Sequence, residues 1–597
     1  MNRLFSLPFK DQIQQKTILS FVLLIAIVFS LRFFHLTEIG VSGSDNFLYW
    51  HYAVKWSHND HSLDIQEIEQ NRLYRPVSFY LFAWALKIFD YQDYAIKLFN
   101  IIVDAGNAFL VFLVCRRITN LWLGGLASLL YVCIPELIAY SRSESLHTLS
   151  FLFLLMAVYF LIRFLETTSK LRLFYLTMSG LALSEGGHVH PSILLNAPGF
   201  FGVLLLDGML NIQARKEKVK RVLVSMGVLM TAICSVYLIL LITLGLHQHP
   251  SVTAGQKKVD VAITMTQTDR IQSISNWNDL VSRMNLTSVP VSFIKKRLAL
   301  SDWHMHFFLS LFLLSMLLLG MHLLGVPYVH GWNDDLKAHV PWIALICFIL
   351  TFALGLPGSI HQLRDHLQLL PIFVIGLSVT CYTLAARWLD NVGATILQSC
   401  LILFILINLL PNSVKQFSKA QGVSHYRQLH DNMSGLVNEK NKILLMDNPA
   451  DRVRPWSIEA YFGKNAVYYD VCNEKFSETV HKNLIKFIVI PDVPPYYTQN
   501  SNIYGVVKGG VGPVPEWTKS CYQREIDTES MKRATVSESG WWHHRVLNAS
   551  LVERVVQNHI GEIIYRLHGV TVLMLYGQES ADRARALAEI DPDPTIR

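Results

Sequence analysis

Along most of the chain, long apolar runs are separated by short polar joints. Runs of a length that crosses a bilayer as a helix, about 17–25 residues, lie at 17–36, 98–118, 121–141, 146–165, 174–190, 192–210, 221–246, 306–325, 339–358, 367–389 and 393–411. The pattern predicts a polytopic α-helical membrane protein with about eleven transmembrane helices. Gly186-Gly187 and Pro191 interrupt the fifth and sixth runs and predict extended backbone around His188 and His190. Two longer polar segments, 37–97 and 247–304, break the rhythm. In the first, helical spacing over 46–57 puts Asp45, Tyr49, Tyr52 and Trp56 on one face. Arg75-Pro76 then precedes an apolar stretch to Phe89, too short to span comfortably and suited to a helix lying in the membrane interface.

Past residue 411 the texture changes. Strand-like runs at 443–446, 466–469 and 487–490 alternate with helical patterns at 456–463 and 476–484, which predicts a small α/β layer. A hairpin follows, Glu562 to Leu567 and Val570 to Tyr576, turning at His568-Gly569. After the first strand stands Asp447-Asn448-Pro449 where a phosphate loop would carry glycines, so this layer is not read as a nucleotide site. The expected organisation is a transmembrane domain at 1–411, with exported loops 37–97 and 247–304, and an exported α/β C-terminal domain at 412–597.

Composition narrows the class. The chain is 51% hydrophobic and 16% charged, against about 25% charged in soluble domains. Much of the basic charge behind the net +7 borders the apolar runs. Arg3, Lys10 and Lys16 precede the first run, Arg116-Arg117 follow the second, Arg163, Lys170 and Arg172 follow the fourth, and Arg215 to Arg221 join the sixth and seventh. With one crossing per run these fall on one side, which puts the N-terminus in the cytoplasm and the C-terminus outside. No compact basic and aromatic patch argues for nucleic acid. The first run lacks a small-x-small cleavage site and reads as an uncleaved anchor. Cys115, Cys133, Cys234, Cys347, Cys381 and Cys400 lie in or beside runs, while Cys472 and Cys521 fall in the exported part. Whether those two form a disulfide is open at this level.

The joints on the outer side mix acid, base and imidazole. They read Pro135-Glu136 through Glu144 to His147, then Ser184-Glu185-Gly186-Gly187-His188-Val189-His190, then His361 to His366. Such a collection suggests a shared outward cavity. The alternatives are local: Ser44 or Asp45 capping a helix, and Arg142 with Glu144, or Arg364 with Asp365, as ion pairs at span ends. His188 and His190 share a side only in extended backbone and are weak metal candidates without a third ligand. Glu185 and Asp104 lie within or near apolar runs, where a carboxylate is costly and is functional or paired.

Taken in order, these features resemble the GT-C class of membrane glycosyltransferases, in the branch of bacterial protein O-mannosyltransferases and lipid A aminoarabinose transferases. The resemblance rests on Ser44-Asp45 after the first run, Arg75-Pro76, Ser141-Arg142-Ser143-Glu144-Ser145, Gly180 to Leu183 before His190-Pro191, and Arg364 through Pro371. It implies a polyprenyl-phosphate-linked sugar donor, an envelope glycan, lipid or protein as acceptor, and a bacterial inner membrane location. It makes Asp45 the catalytic base and assigns Arg75, Arg364, Glu144 and His190 to the donor phosphate or substrate; Tyr49, on the aromatic face that starts at Asp45, and Glu185, a carboxylate within an apolar run, join the candidate substrate-binding residues from their own placement. Asp45-Asn46-Phe47 lacks the second carboxylate of a DxD, so a divalent metal is possible but disfavoured and no cofactor is assigned. His190 stands where relatives often carry Lys or Arg, which makes phosphate contact there pH-dependent.

Two other classes fit a polytopic chain. A transporter or flippase of a polar lipid places its ionisable groups near the midplane between pseudo-symmetric halves; here they cluster at outer ends and no repeat is evident. A non-catalytic scaffold would keep the fold and bind envelope partners through 412–597.

Overall fold

A computed structural model of the chain describes residues 22, 26–34, 36–41, 44–58, 76–169, 171–210, 215–243, 367–386, 389–418, 425–446, 461–469, 484–491, 561–567 and 570–576. The runs at 306–325 and 339–358, the loop 247–304, all of the helical pattern 476–484 except its last residue, and Arg75, Arg364, Cys472 and Cys521 lie outside them. Two compact units result: Met1–Leu36 with Lys55–Lys419, and Thr37–Val54 with Ala420–Arg597.

Helix α1 (Ser44–Ser57) carries the aromatic strip, and Tyr49, Tyr52 and Trp56 are all buried, as spacings of three and four require of one face. Asp45 is in its first turn. Helix α2 (Pro76–Ile88) starts on a proline, whose missing N–H costs nothing there. It buries Phe79, Phe82 and Leu86 and leaves Tyr80, Trp84 and Ile88 exposed as a stripe four residues apart. At about 20 Å it is too short to cross a bilayer, and its exposed aromatics suit a headgroup boundary.

The bundle follows. Helix α3 (Ala95–Ile118) ends on Arg116-Arg117, cations at the terminus where the helix dipole favours them. Asn120 caps α4 (Leu121–Val132), its side chain accepting from the Leu123 N–H at 3.0 Å. Pro135 then forces a new start, so α5 (Pro135–Ser141) leaves α4 at 68°. The third apolar run is therefore a bent pair and not one straight span. Helices α6 (His147–Glu166), α7 (Leu171–Val189), α8 (Ala197–Leu210), α9 (Arg215–Thr243), α10 (Leu369–Ala385) and α11 (Asn391–Ser418) complete the unit. Among the described residues, four helices are long and apolar enough to cross a membrane, or five if the bent pair is one span.

Ile101, Ala105, Leu130, Leu155, Val158 and Leu229 belong to one buried apolar cluster. Small polar residues stitch it together. Asn107 donates to Thr148 O, Ser128 to Ala108 O, Ser179 to Ala157 O and Ser184 to Ile233 O, at 2.9, 2.6, 2.8 and 2.8 Å. Such bonds suit helices surrounded by lipid, where apolar contact alone gives little preference for protein over acyl chain.

The expected break at Gly186-Gly187 does not occur. Helix α7 continues through both to Val189, and only His190 (φ −147°, ψ 114°) is extended. The glycines serve close approach instead: a Cβ on Gly187 would lie 2.5 Å from Leu194 Cγ, and one on Gly186 2.8 Å from Ile193 Cγ2. They let the 3₁₀ turn Pro191–Asn196 fold back onto α7. Gly187→Val should therefore destabilise the protein by about 1–3 kcal/mol, the usual cost of overpacking, measured by thermal unfolding in detergent. An unchanged melting temperature would show that the turn moves aside freely.

In the second unit, α12 (His425–Met433) precedes β1 (Lys442–Met446), β2 (Ala466–Tyr469), β3 (Ile485–Pro491), β4 (Gly561–Leu567) and β5 (Val570–Leu575). The strands form one sheet in the order β2-β1-β3-β5-β4, the first three parallel and the last two antiparallel to their neighbours. Ile443 and Leu445, with Phe487 and Val489, alternate onto one face and pack with Leu429 and Met433 of α12.

Candidate active site

Lys97 and Asn100, three apart at the start of α3, share a helix face. That face meets the turn between α5 and α6. Asn100 Nδ2 donates to Ser143 O at 2.8 Å and to Ser145 O at 2.9 Å, the carbonyls flanking Glu144. The turn also closes on itself. Ser143 Oγ donates to Tyr140 O at 2.9 Å, and the Ser145 and His147 N–H groups donate to Ser143 Oγ and Ser145 Oγ at 3.3 and 3.2 Å. Serines favour such turns because their hydroxyls bond the nearby backbone.

Glu144 is held by this clamp with its Oε1 3.2 Å from Lys97 Nζ, and neither side chain is exposed. Its other oxygen, Oε2, has no hydrogen-bond donor among the described residues. Burial pushes the Glu144 carboxyl up to about 7; the Lys97 charge opposes the shift and Asp93 adds to it. A carboxyl in that range is suited to take or give a proton near neutral pH.

Behind the turn lies a second buried charge pair. Arg32 and Asp104 meet at 2.5 Å between Nε and Oδ2. Arg32 also donates to Ser141 Oγ at 2.9 Å and to Val132 O at 3.2 Å, and Tyr131 Oη donates to Asp104 Oδ1 at 2.8 Å. The Val132 carbonyl ends α4 just before the proline break, so the guanidinium supplies a donor to a helix end and ties both halves of the bent pair to the first apolar run.

The imidazoles divide. His147 and His190 pack with ring centroids 4.5 Å apart, joining the start of α6 to the residue after α7. Because α7 is helical through Val189, His188 points elsewhere, its Nδ1 3.9 Å from Glu185 Oε2. The extended HxH reading is thus corrected. Among the described residues no group of three His, Cys, Asp or Glu side chains is placed to hold a metal ion. The pairing of Glu144 with Arg142 is corrected as well. Arg142 Nη2 donates to Phe34 O at 2.6 Å, and the partner of Glu144 is Lys97.

Of the residues singled out from the sequence, Glu144, Glu185, His188 and His190 lie in the helix bundle. Tyr49 is buried on α1, on the face that Asp45 begins, while Arg75 and Arg364 are outside the described residues. Sequence reasoning missed Lys97 and Arg32. Both stand at ends of apolar runs that the pattern of basic joints predicts to be poor in Lys and Arg, and that anomaly is the signal that finds them.

Residues 75–240 match the family model described as dolichyl-phosphate-mannose-protein mannosyltransferase. No curated protein sequence matches the chain significantly. Among solved structures, the oligosaccharyltransferase of Archaeoglobus fulgidus in complex with zinc and sulfate is similar at 12% identity, covering 93% of this chain and 88% of that one, with a TM-score of 0.50. ArnT from Cupriavidus metallidurans in the apo state is similar at 10% identity, covering 92% and 97%, with a TM-score of 0.47.

Proposed function

We propose that this chain, a membrane glycosyltransferase of the GT-C type, moves a sugar from a polyprenyl-phosphate donor to an acceptor hydroxyl on the outer face of a bacterial inner membrane. The acceptor is an envelope glycan, lipid or protein. The observation that carries the reading is the mannosyltransferase family match over 75–240, which contains the clamped, buried Glu144 and its Lys97. The family description names a lipid-phosphate sugar donor, and a donor with a bilayer-borne tail requires chemistry at the membrane boundary.

In this scheme Asp45 takes the proton of the acceptor hydroxyl. The freed oxygen attacks the anomeric carbon as the bond to the lipid phosphate breaks, inverting that centre. Arg75 and Arg364 hold the departing phosphate, a role for which guanidinium offers several donors and a charge it does not lose. Glu144, Glu185, His190 and Tyr49 contribute to the polar surroundings of donor and acceptor. The scheme is written without a metal ion.

The test is transfer by the purified protein from a panel of polyprenyl-phosphate sugars, with product and released lipid phosphate measured together. Equimolar formation of both, with inverted anomeric configuration, is expected. Donor binding without product, or no binding of any polyprenyl phosphate, would overturn the reading. Arg75→Ala and Arg364→Ala should each weaken donor binding or transfer by at least about tenfold, matching loss of a charge-assisted bond worth ~1.5–3 kcal/mol. Unchanged affinity and turnover in both would remove them from the site.

A further inference from the structure

At the other end of the same helices, one length of α3 away from Lys97, the charges form a different pattern. Arg117 and Arg163 share the Glu166 carboxylate, with Nη1–Oε2 distances of 2.9 and 3.6 Å. Arg172 and Arg221 share Asp207, Arg221 Nη2 lying 3.3 Å from Oδ2. Each group is a carboxylate between two guanidiniums, so its three side chains sum to one positive charge. Asp207 is only 3% exposed, whereas Arg117 and Arg221 remain 34% and 31% exposed. The acid is covered and cationic surface faces outward.

Three of the four guanidiniums also lie over aromatic rings. Arg117 sits over Tyr159, Arg163 over Tyr175 and Arg172 over Phe164, at 5.7, 5.0 and 4.1 Å from the ring centroids. Arg163 donates to Tyr175 Oη at 3.1 Å as well. Orienting spans in a bilayer needs only a count of basic residues. It does not need arginines stacked on rings and tethered in pairs to shared acids. That arrangement presents remaining N–H donors in a set geometry, which suits an oxyanion.

A third feature points the same way. Beside the triads, Leu171, Leu173, Phe174, Val219 and Leu223 are exposed, so the ligand that fits joins an anionic group to hydrocarbon.

We propose that the two triads, Arg117–Glu166–Arg163 and Arg172–Asp207–Arg221, form a binding site for the phosphodiester headgroups of anionic phospholipids, with acyl chains along the neighbouring apolar side chains. The site is independent of the sugar-transfer reading and needs no substrate for its test.

Native mass spectrometry of the full-length protein, titrated with phosphatidylglycerol or phosphatidylcholine of identical chains, reads the preference directly. Phosphatidylglycerol should be retained at least about tenfold more tightly. Arg117→Gln with Arg221→Gln leaves each carboxylate one guanidinium and should bring the two lipids within about twofold. Lys220→Gln, which removes the same kind of charge from outside the triads, should keep the preference. Equal retention of both lipids by the wild-type protein would overturn the proposal even if the double variant failed to fold. So would an unchanged preference in a folded double variant, or displacement of the lipid by millimolar glycerol phosphate, which would mark a soluble-phosphate site.

Discussion

Asp45→Asn should reduce transfer by roughly 10²–10⁴-fold, the usual contribution of a positioned general base, with donor affinity unchanged. Asparagine keeps the shape and hydrogen-bonding reach of the residue and loses only the ability to accept a proton. The structural cost is small in comparison. Asp45 stands in the first turn of α1, where a carboxylate gains about 0.3–1 kcal/mol from the helix dipole. A loss of that size cannot account for a hundredfold fall in rate, so rate and stability separate the catalytic role from a structural one. Single-turnover transfer and donor binding, measured alongside thermal unfolding, make the comparison. Near-normal turnover would return Asp45 to the role of a helix-start residue and move the search for the base to Glu144 or Glu185.

Lys97→Met should destabilise the protein by about 3–5 kcal/mol, because removing one member of a buried ion pair strands the other. Its pH dependence carries the sharper information. The Glu144 carboxyl has its pKa raised in the folded protein, to about 7, so the folded state binds more protons than the unfolded state between the two values. Stability is therefore greatest at acid pH and falls as pH rises from the ordinary carboxylate range to about 7, then levels. The full change is on the order of 3 kcal/mol. Without Lys97 nothing offsets that part of the burial cost, and the decline should continue to higher pH. Glu144→Gln should flatten this part of the profile, and Lys97→Met combined with Glu144→Gln should recover part of the single-variant loss. Melting temperatures from pH 4.5 to 8.5 decide it. A Lys97→Met profile that superimposes on the wild type would show that the pair does not set the Glu144 proton affinity.

How much was legible beforehand depended on the range of the forces involved. The strands at 443–446, 466–469 and 487–490 and the late hairpin are short, mostly apolar runs between polar joints, and each strand lies where the pattern predicts. The buried face of α1 was equally readable from spacings of three and four. Failures came where a partner lay far along the chain. Gly186-Gly187 reads as a break in sequence, because the Ile193 and Leu194 side chains that need the space are placed only by the returning turn. Arg142 and Glu144 are two residues apart, yet Lys97, far away in sequence, outcompetes Arg142 once α3 packs on the turn. Asp104 is legible as a costly carboxylate within an apolar run, whereas its pairing with Arg32 exists only once the helices are assembled.

The strand order bears on how the chain is made. β3 is flanked by β1 on one side and β5 on the other, and β5 follows in sequence only after residues 492–560 and then β4. When a growing chain has been synthesised only as far as 560, the edge of β3 from Phe487 to Pro491 still lacks the strand it pairs with in the finished protein. At roughly 5–20 residues per second, that interval lasts for several seconds. An open strand edge is a template for another chain, so the quality of each molecule depends on keeping that edge apart from its neighbours until the hairpin arrives.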